Sequence, residues 1–430
     1  MKVYKFGGAS VRDGEGIINL SGIVSFEKDD LVVVVSAFGK TTNALEKVLK
    51  EWYEGDDNYG NSLEVIINYH LQVMKGIFHS CNPVENDIES SFGKLRNYLV
   101  NHEKSTYDFE YDQIVSFGEI WSTIIVAGYL KTMFPGVEWI DIRKCLVTDS
   151  RYRDANVLWE ESARRIKQAI DFSRTRIFVT QGFIGGTQEG YSTTLGREGS
   201  DYTAAVIANM LDAVSVTVWK DVPGILNADP KWKEEAVKLD EISYREAVEM
   251  TFSGAKVIHP KTIKPLHNKG IPLHVKSFVS PGLPGTVIKD EPEIKRTIPV
   301  FIRKEDQVLI SILPNDLSFV MGDNLSRIFR YFSERGIKVN IVEASAVSID
   351  VCVNDEREKM KSFMDELKPE FTIVYNEHVE MLTIRHYTED SIKEILDGRE
   401  VLLEQRTRST VRFVVRRNQD HLSNISLCPR

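Results

Sequence analysis

The chain has 430 residues, of which 42% are hydrophobic and 27% charged, with a formal net charge of -9. That length predicts roughly two to four domains with real cores, and the composition argues against disorder. The acidic balance argues against nonspecific nucleic-acid binding, which depends on neutralising phosphates. No apolar run reaches the roughly 18 to 20 residues that span a bilayer, and MKVYKF opens as a strand, without a signal-peptide core, so a cytoplasmic protein with no membrane partner is expected. Cys81, Cys145, Cys352 and Cys428 are scattered with no CxxC pair, which argues against a zinc site or a disulfide framework and for reduced, structural thiols.

In chain order, VYKF, LVVVVSAF (31–38), WIDIR, RIFVTQGFIG and VSVTVWKDV are short apolar runs that alternate with helical patterns. This rhythm predicts an α/β fold with a largely parallel sheet covered by helices on both faces. Ligands of such sheets bind beyond the C-terminal ends of the strands, where the Gly- and Ser-rich segments fall. At 281–297, PGLPG and KDEPEIKR mark the main boundary, predicting a first domain over 1–288 and a second region over 296–430. Beyond it, QVLISILP reads as a strand, NLSRIFRYFSERG as a helix ending at Gly336, IKVNIVEASAVSIDVCV as two strands and EREKMKSFMDELKPE as a helix. HVEMLTIRHY, TEDSIKEILDG, VLLEQRT and TVRFVVR read as a second, shorter pass. Two small α+β modules are expected, over about 306–378 and 379–418, the second completed by 296–305 if it is whole. The tail RRNQDHLSNISLCPR is expected to be poorly ordered.

KFGGAS, Lys5 to Ser10, follows a strand and precedes a helix, so the N–H groups of Gly7 and Gly8 can surround a phosphate while Lys5 supplies charge. A GG pair also serves any tight strand-to-helix turn. Further along stand SAFGKTTN (36–43), SFGE (116–119), VTQGFIG (179–185), TLGREGSDYTAA (194–205), VWKDVPGILNADPK (218–231) and GAKVIHP (254–260). In order and content these motifs resemble the aspartate kinases of the amino-acid kinase superfamily, and the resemblance covers essentially the whole chain. It implies a three-layer α/β/α amino-acid-kinase sandwich followed by ferredoxin-like, ACT-like regulatory modules.

The resemblance also implies an activity: transfer of the ATP gamma-phosphoryl group to the side-chain carboxylate of L-aspartate. The product is beta-aspartyl phosphate, the activated entry to lysine, threonine and methionine synthesis. It makes Lys5 the catalytic cation and Asp201 its organiser. Ser36, Thr42, Glu119, Arg197 and Ser200 match the aspartate-binding positions, with the Arg197 guanidinium suited to a carboxylate and Glu119 to the substrate ammonium. Lys220, Asp221, Leu226, Lys231, Lys256 and Val257 fall on the ATP-binding segments. Mg2+ is expected with ATP, held by phosphates and water with no direct protein ligand. Asn340, Ser345 and Ala346 are effector candidates for lysine or threonine, and a homodimer or dimer of dimers is expected.

The chain departs from the family pattern at several points. GREGSD puts Glu198 where glycine is usual, Lys220 and Leu226 replace a threonine and a tyrosine, and Lys231 replaces an arginine, whose planar fork a lysine does not reproduce. Asn340 and Ala346 stand where lysine-sensing relatives carry acidic residues. His259, before Pro260, reads as a structural turn residue. Residue by residue, the bland readings are a Glu119–Arg197 ion pair, Asp201 as a helix N-cap and solvated lysines. For the whole chain the alternatives are a glutamate or acetylglutamate kinase and a catalytically silent amino-acid sensor. No dinucleotide domain is expected beyond residue 430.

Overall fold

A computed structural model describes residues 1–78, 84–255, 257–292, 297–316, 318–417 and 425–427. They form two compact units: Met1–Ile225 with Lys238–Val248 and Ile258–Glu293, and Leu226–Val237 with Glu249–Val257 and Ile294–Arg430.

The first unit begins with β1 (Lys2–Phe6), α1 (Gly14–Phe26) and β2 (Leu31–Val35), then four successive helices: α2 (Thr41–Glu54), α3 (Tyr59–Ile77), α4 (Glu85–Asn101) and α5 (Tyr107–Met133). It continues with β3 (Val137–Ile140), α6 (Trp159–Ala169), β4 (Ile177–Gln181), β5 (Ile184–Gly186), β6 (Ser192–Thr194), α7 (Gly199–Met210) and β7 (Ser215–Lys220). It closes with β8 (Glu241–Ser243), α8 (Tyr244–Ser253), α9 (Pro260–His267), β9 (Leu273–Ser277) and β10 (Thr286–Lys289), the unit boundary falling within α8.

Among the described residues the main sheet has eight strands in the order β3-β4-β2-β1-β7-β9-β10-β8, with β9–β10 its antiparallel pair. Every residue of LVVVV in β2 and of IFVTQ in β4 is buried, as expected of strands covered on both faces. α7 packs on β1, β2 and β7, flanked by α6 and α9, while α5 packs on β2, β3 and β4 with α1 to α4 gathered about it. The layers are therefore α/β/α. Helix α5 is long and apolar enough to cross a membrane by length and composition, but 83% of its most apolar window is buried by its neighbours.

The second unit contains β11 (Val300–Pro314), α10 (Asp323–Glu334), β12 (Val339–Ala344), β13 (Ile349–Asn354), α11 (Arg357–Leu367), β14 (Phe371–Arg385), α12 (Glu389–Leu396), β15 (Arg399–Arg406), β16 (Thr410–Arg417) and β17 (Ile425–Leu427). The strand order is β12-β13-β11-β14-β16-β15, with β17 on β14. Each of two modules takes one half of β11 and one half of β14: the first adds α10, β12, β13 and α11, a βαββαβ unit, and the second adds α12, β15 and β16. The first buries Val308, Ile310, Phe332, Val351 and Phe363; the second buries Phe301, Leu382, Ile384, Phe413 and Val415.

The strands expected at 307 and 378 begin earlier than their apolar runs, because β11 and β14 pair almost end to end with register shifts near Gln307. At the junction Asp306 (φ 54°) and His378 (φ 56°) take left-handed backbone, and charged residues break the apolar pattern there. Residues 226–237 and 249–257, expected within the first domain, fold with the second unit. Ala228, Trp232 and Ala236 complete its core beside Phe301, Leu382 and Phe413, and Glu249 pairs with Arg385 at 3.3 Å. Within the tail expected to be unstructured, Ile425–Leu427 pairs with Val374–Asn376.

Candidate active site

The candidate residues of the first unit stand in β1 and β7, in the loops that follow β1, β2, β6 and β7, at the start of α2 and of α7, and on α5. Lys5 lies in β1, between Val34 of β2 and Val218 of β7. Its Nζ is 2.7 Å from Oδ1 of Asp201, in the first turn of α7, and Lys220 Nζ, at the end of β7, is 4.0 Å from Oδ2. Burial by itself raises a carboxyl pKa, but the Lys5 and then the Lys220 ammonium outweigh it and hold Asp201 below the usual range. The α7 N-terminus adds to the same effect. Asp201 is therefore a buried anion facing two cations and not an N-cap, a position that Glu198 occupies.

The glycine pair has two separate roles. A side chain on Gly7 would approach Lys5 Nζ at 3.6 Å, whereas a Cβ on Gly8 would lie 2.3 Å from the Ala37 carbonyl oxygen. Gly8 is thus required by the close passage of the 37–39 backbone, which it meets through the Gly39 N–H donating to Gly8 O at 2.9 Å. Ser10 Oγ donates to Asp221 Oδ1 at 3.2 Å, tying the loop after β1 to the loop after β7.

Glu119 reaches the same region from α5, where Gly118 allows the helix to pack against Ala37, Thr41 and Leu45. Burial pushes its carboxyl up to about 8, while the Ala37 N–H and the Lys5 ammonium favour the anion without overcoming that cost. Its Oε2 is buried and has no hydrogen-bond partner among the described residues. An unpaired carboxylate oxygen of this kind is a place for a ligand cation. Ser36 and Thr42 flank the same turn and are partly exposed, and Ser200 is buried in the first turn of α7, against Gly182. Arg197 is exposed and has no ion-pair partner among the described residues, so the Glu119–Arg197 pair considered above does not form.

Glu198 has φ 54°, left-handed backbone that glycine adopts without strain. Its Oε2 accepts the His259 N–H at 2.9 Å, and His259 Nδ1 accepts the Lys261 N–H at 3.2 Å, which caps α9. The carboxylate that replaces the usual glycine is thereby committed to the start of α9.

The remaining candidates are dispersed. Leu226 and Lys231 lie in the second unit, where Lys231 is exposed and its N–H donates to Asp229 Oδ1 at 2.9 Å. Val257 is buried in the second unit, and Lys256 lies outside the described residues. Asn340 does not join Ser345 and Ala346 in one open site. It is buried, its Oδ1 accepts from Lys304 Nζ at 2.8 Å and its Nδ2 donates to Gln307 and Asn354, whereas Ser345 and Ala346 are exposed. Cys145 and Cys352 are free and buried; Cys81 and Cys428 lie outside the described residues. Two participants that the motifs did not single out are Asp112 and Lys261. Asp112 precedes Glu119 by seven residues, a helical spacing that offered the one available signal.

A Gly-lined strand-to-helix loop, a buried lysine–aspartate pair and an open carboxylate at one end of an α/β/α sandwich define a phosphoryl-transfer scaffold. The sequence profile of the amino acid kinase family matches residues 1–277, and the chain belongs to that family. Lysine-sensitive aspartokinase 3 of Escherichia coli is 31% identical over 351 residues, covering 81% of this chain and 77% of the relative, which places the chain among the aspartokinases. A bifunctional aspartokinase/homoserine dehydrogenase of Arabidopsis thaliana is 29% identical over 387 residues, and there the match spans 86% of this chain but only 42% of the relative. The crystal structure of E. coli aspartokinase III with lysine and aspartate superposes with a TM-score of 0.82 at 26% identity, covering 98% of this chain and 96% of that one. The same enzyme with aspartate and ADP gives 0.81.

The raised Glu119 pKa has a measurable consequence for stability. The folded chain holds this proton up to about pH 8, whereas an unfolded glutamate releases it near 4.5, so stability falls as pH rises through that window. Glu119→Gln is expected to match the native chain below pH 4.5 and to become progressively more stable than it up to pH 8, as measured by urea denaturation across the pH range. Equal pH dependence in both chains would contradict the assignment.

Proposed function

We propose that the chain is an aspartate kinase, transferring the gamma-phosphoryl group of ATP to the side-chain carboxylate of L-aspartate. The observation that carries this reading is the juxtaposition of the Lys5–Asp201 pair with the unpartnered Glu119 oxygen, both in the first unit. It agrees with the aspartate and ADP bound by the E. coli relative.

The chemistry follows from charge placement. In this reading the substrate ammonium binds Glu119 and displaces its proton. Arg197 takes the α-carboxylate, since a carboxylate with both oxygens tied in a guanidinium fork is a poor nucleophile. That leaves the β-carboxylate to attack. It is ionised at neutral pH, so no general base is needed; one oxygen forms a bond to the gamma phosphorus as the bond to the ADP oxygen breaks. Lys5 offsets charge on the transferring group, and Asp201 holds Lys5 charged and oriented. Lys220 and Asp221 stand on the nucleotide side.

No cluster of three or more His, Cys, Asp or Glu is placed to hold a metal among the described residues. Mg2+ would arrive with ATP, held by phosphate oxygens and water, and would neutralise charge on the nucleotide, while the Asp201 oxygens face Lys5 and Lys220. The C-terminal modules support control by an amino-acid effector, lysine or threonine, and the name of the lysine-sensitive E. coli relative favours lysine. With Asn340 committed to Lys304, Gln307 and Asn354, an effector would have to break that network or bind elsewhere. The reading includes a cytoplasmic location and a homodimer or dimer of dimers; light scattering that finds a monomer with and without effectors would refute the oligomer.

ATP-dependent hydroxylamine trapping tests the reaction. Acyl hydroxamate is expected from aspartate and not from glutamate or acetylglutamate, and Lys5→Ala is expected to lower kcat by about 10²- to 10³-fold while the fold is kept. Turnover of another acid, no turnover at all, or an active Lys5→Ala variant would refute it.

A further inference from the structure

Asp112 lies on α5, two turns before Glu119, and nothing in the mechanism above uses it. It is 0% exposed, yet every one of its bonds is to a donor. Oδ2 accepts the Thr194 N–H at 2.8 Å, Oδ1 accepts the Thr194 hydroxyl at 2.7 Å, and the Arg153 N–H reaches the two oxygens at 3.1 and 3.2 Å. The Arg153 guanidinium is turned away, over the Tyr111 ring and toward Asp108 at 3.3 Å. Asp112 is therefore met by backbone dipoles and a hydroxyl more than by a counter-ion.

Those donors start two segments that converge. Thr194 ends β6 and leads in three residues to Arg197. Arg153 leads to Asp154 and Ala155, whose N–H donates back to Thr194 O at 2.9 Å. Lys261 staples the pair further on, its Nζ donating to Leu195 O and to Asp154 Oδ1, both at 2.8 Å. Between them Gly196 has φ 74°, and a Cβ there would lie 2.7 Å from Asp154 Oδ1. The segment leading to Arg197 has little room to relax once Thr194 is fixed.

Asp112 and Glu119 are seven residues apart on one continuous helix, nearly in line and roughly 10 Å along its axis. We propose that Asp112 is a positioning residue that fixes the Arg197 loop through Thr194 and Arg153. One rigid helix then sets the separation between the group that takes the substrate ammonium and the group that takes its α-carboxylate. This rests on the aspartate reading above. An amide would be a poor substitute, because its NH2 would face an N–H or hydroxyl donor where the carboxylate presents only acceptors.

Steady-state kinetics on the full chain tests it with Asp112→Asn, Thr194→Val and Thr194→Ser, each alone and combined with Arg197→Ala. Asp112→Asn is expected to raise KM for aspartate about 10- to 100-fold, the range for losing a charge-assisted hydrogen bond, with KM for ATP unchanged within about twofold. Thr194→Val moves KM in the same direction by less, and Thr194→Ser restores it. In the Arg197→Ala background Asp112→Asn adds less than about twofold, because the group it positions is gone. Equal effects in both backgrounds, an unchanged KM, or parallel loss of ATP affinity would overturn the inference while leaving the aspartate reading intact. If Asp112→Asn does not fold, the two Thr194 variants decide by the same criteria. A native chain that does not turn over aspartate overturns both readings.

Discussion

A carboxylate taken out of water must be given cations, N–H donors or a proton, since the alternative costs several kcal/mol. Much of the first unit's functional end is arranged around three such carboxylates. Asp201 is given Lys5 and Lys220 and stays ionised. Asp112 is given two backbone N–H groups and a hydroxyl. Glu119 receives the Ala37 N–H and the more distant influence of Lys5, and one oxygen has no hydrogen-bond partner among the described residues. The oxygens of the first two face cations or donors, so they organise the site; the third has an oxygen with no such partner among the described residues, so it is suited to receive a ligand.

The fold delivers these groups through rigid elements. β1 places Lys5 at the middle of the sheet, α7 begins with Asp201 facing it, and α5 spans the layer as a single 27-residue rod that carries Asp112 and Glu119. The loops between them are held by short backbone contacts, Gly8 against Ala37 and Gly182 against Ser200, where any side chain would force the strands apart. In the second unit the shared strands β11 and β14 make one sheet of two modules. A disturbance in either module's core is thereby felt along strands that both use.

Strong local signals were legible in the amino-acid sequence. LVVVV reads as a strand buried on both faces, and Gly336, read as the end of a helix, follows α10 in left-handed backbone. Lys5, Asp201 and Glu119 came from motifs whose order identified the family, and their geometry is consistent with the chemistry assigned to them. What escaped was set by packing between distant segments. Nothing local in 226–237 says that Trp232 packs against the second unit's core, and the charged stretch Arg303–Asp306 hides a continuous strand. Asp112 is anonymous in sequence because its partners, Arg153 and Thr194, are 41 and 82 residues away. Glu198 was readable as a departure, but its commitment to the His259 N–H was not.

The most direct test of this account is the proton balance of aspartate binding, measured by titration calorimetry at pH 7 in buffers of different ionisation enthalpy. With Glu119 held at about 8, most of the empty protein carries that proton, and pairing with the substrate ammonium must expel it. Release of close to one proton per bound aspartate is predicted. Binding without proton release would mean that Glu119 is already ionised or does not meet the ammonium, and the central assignment would fall.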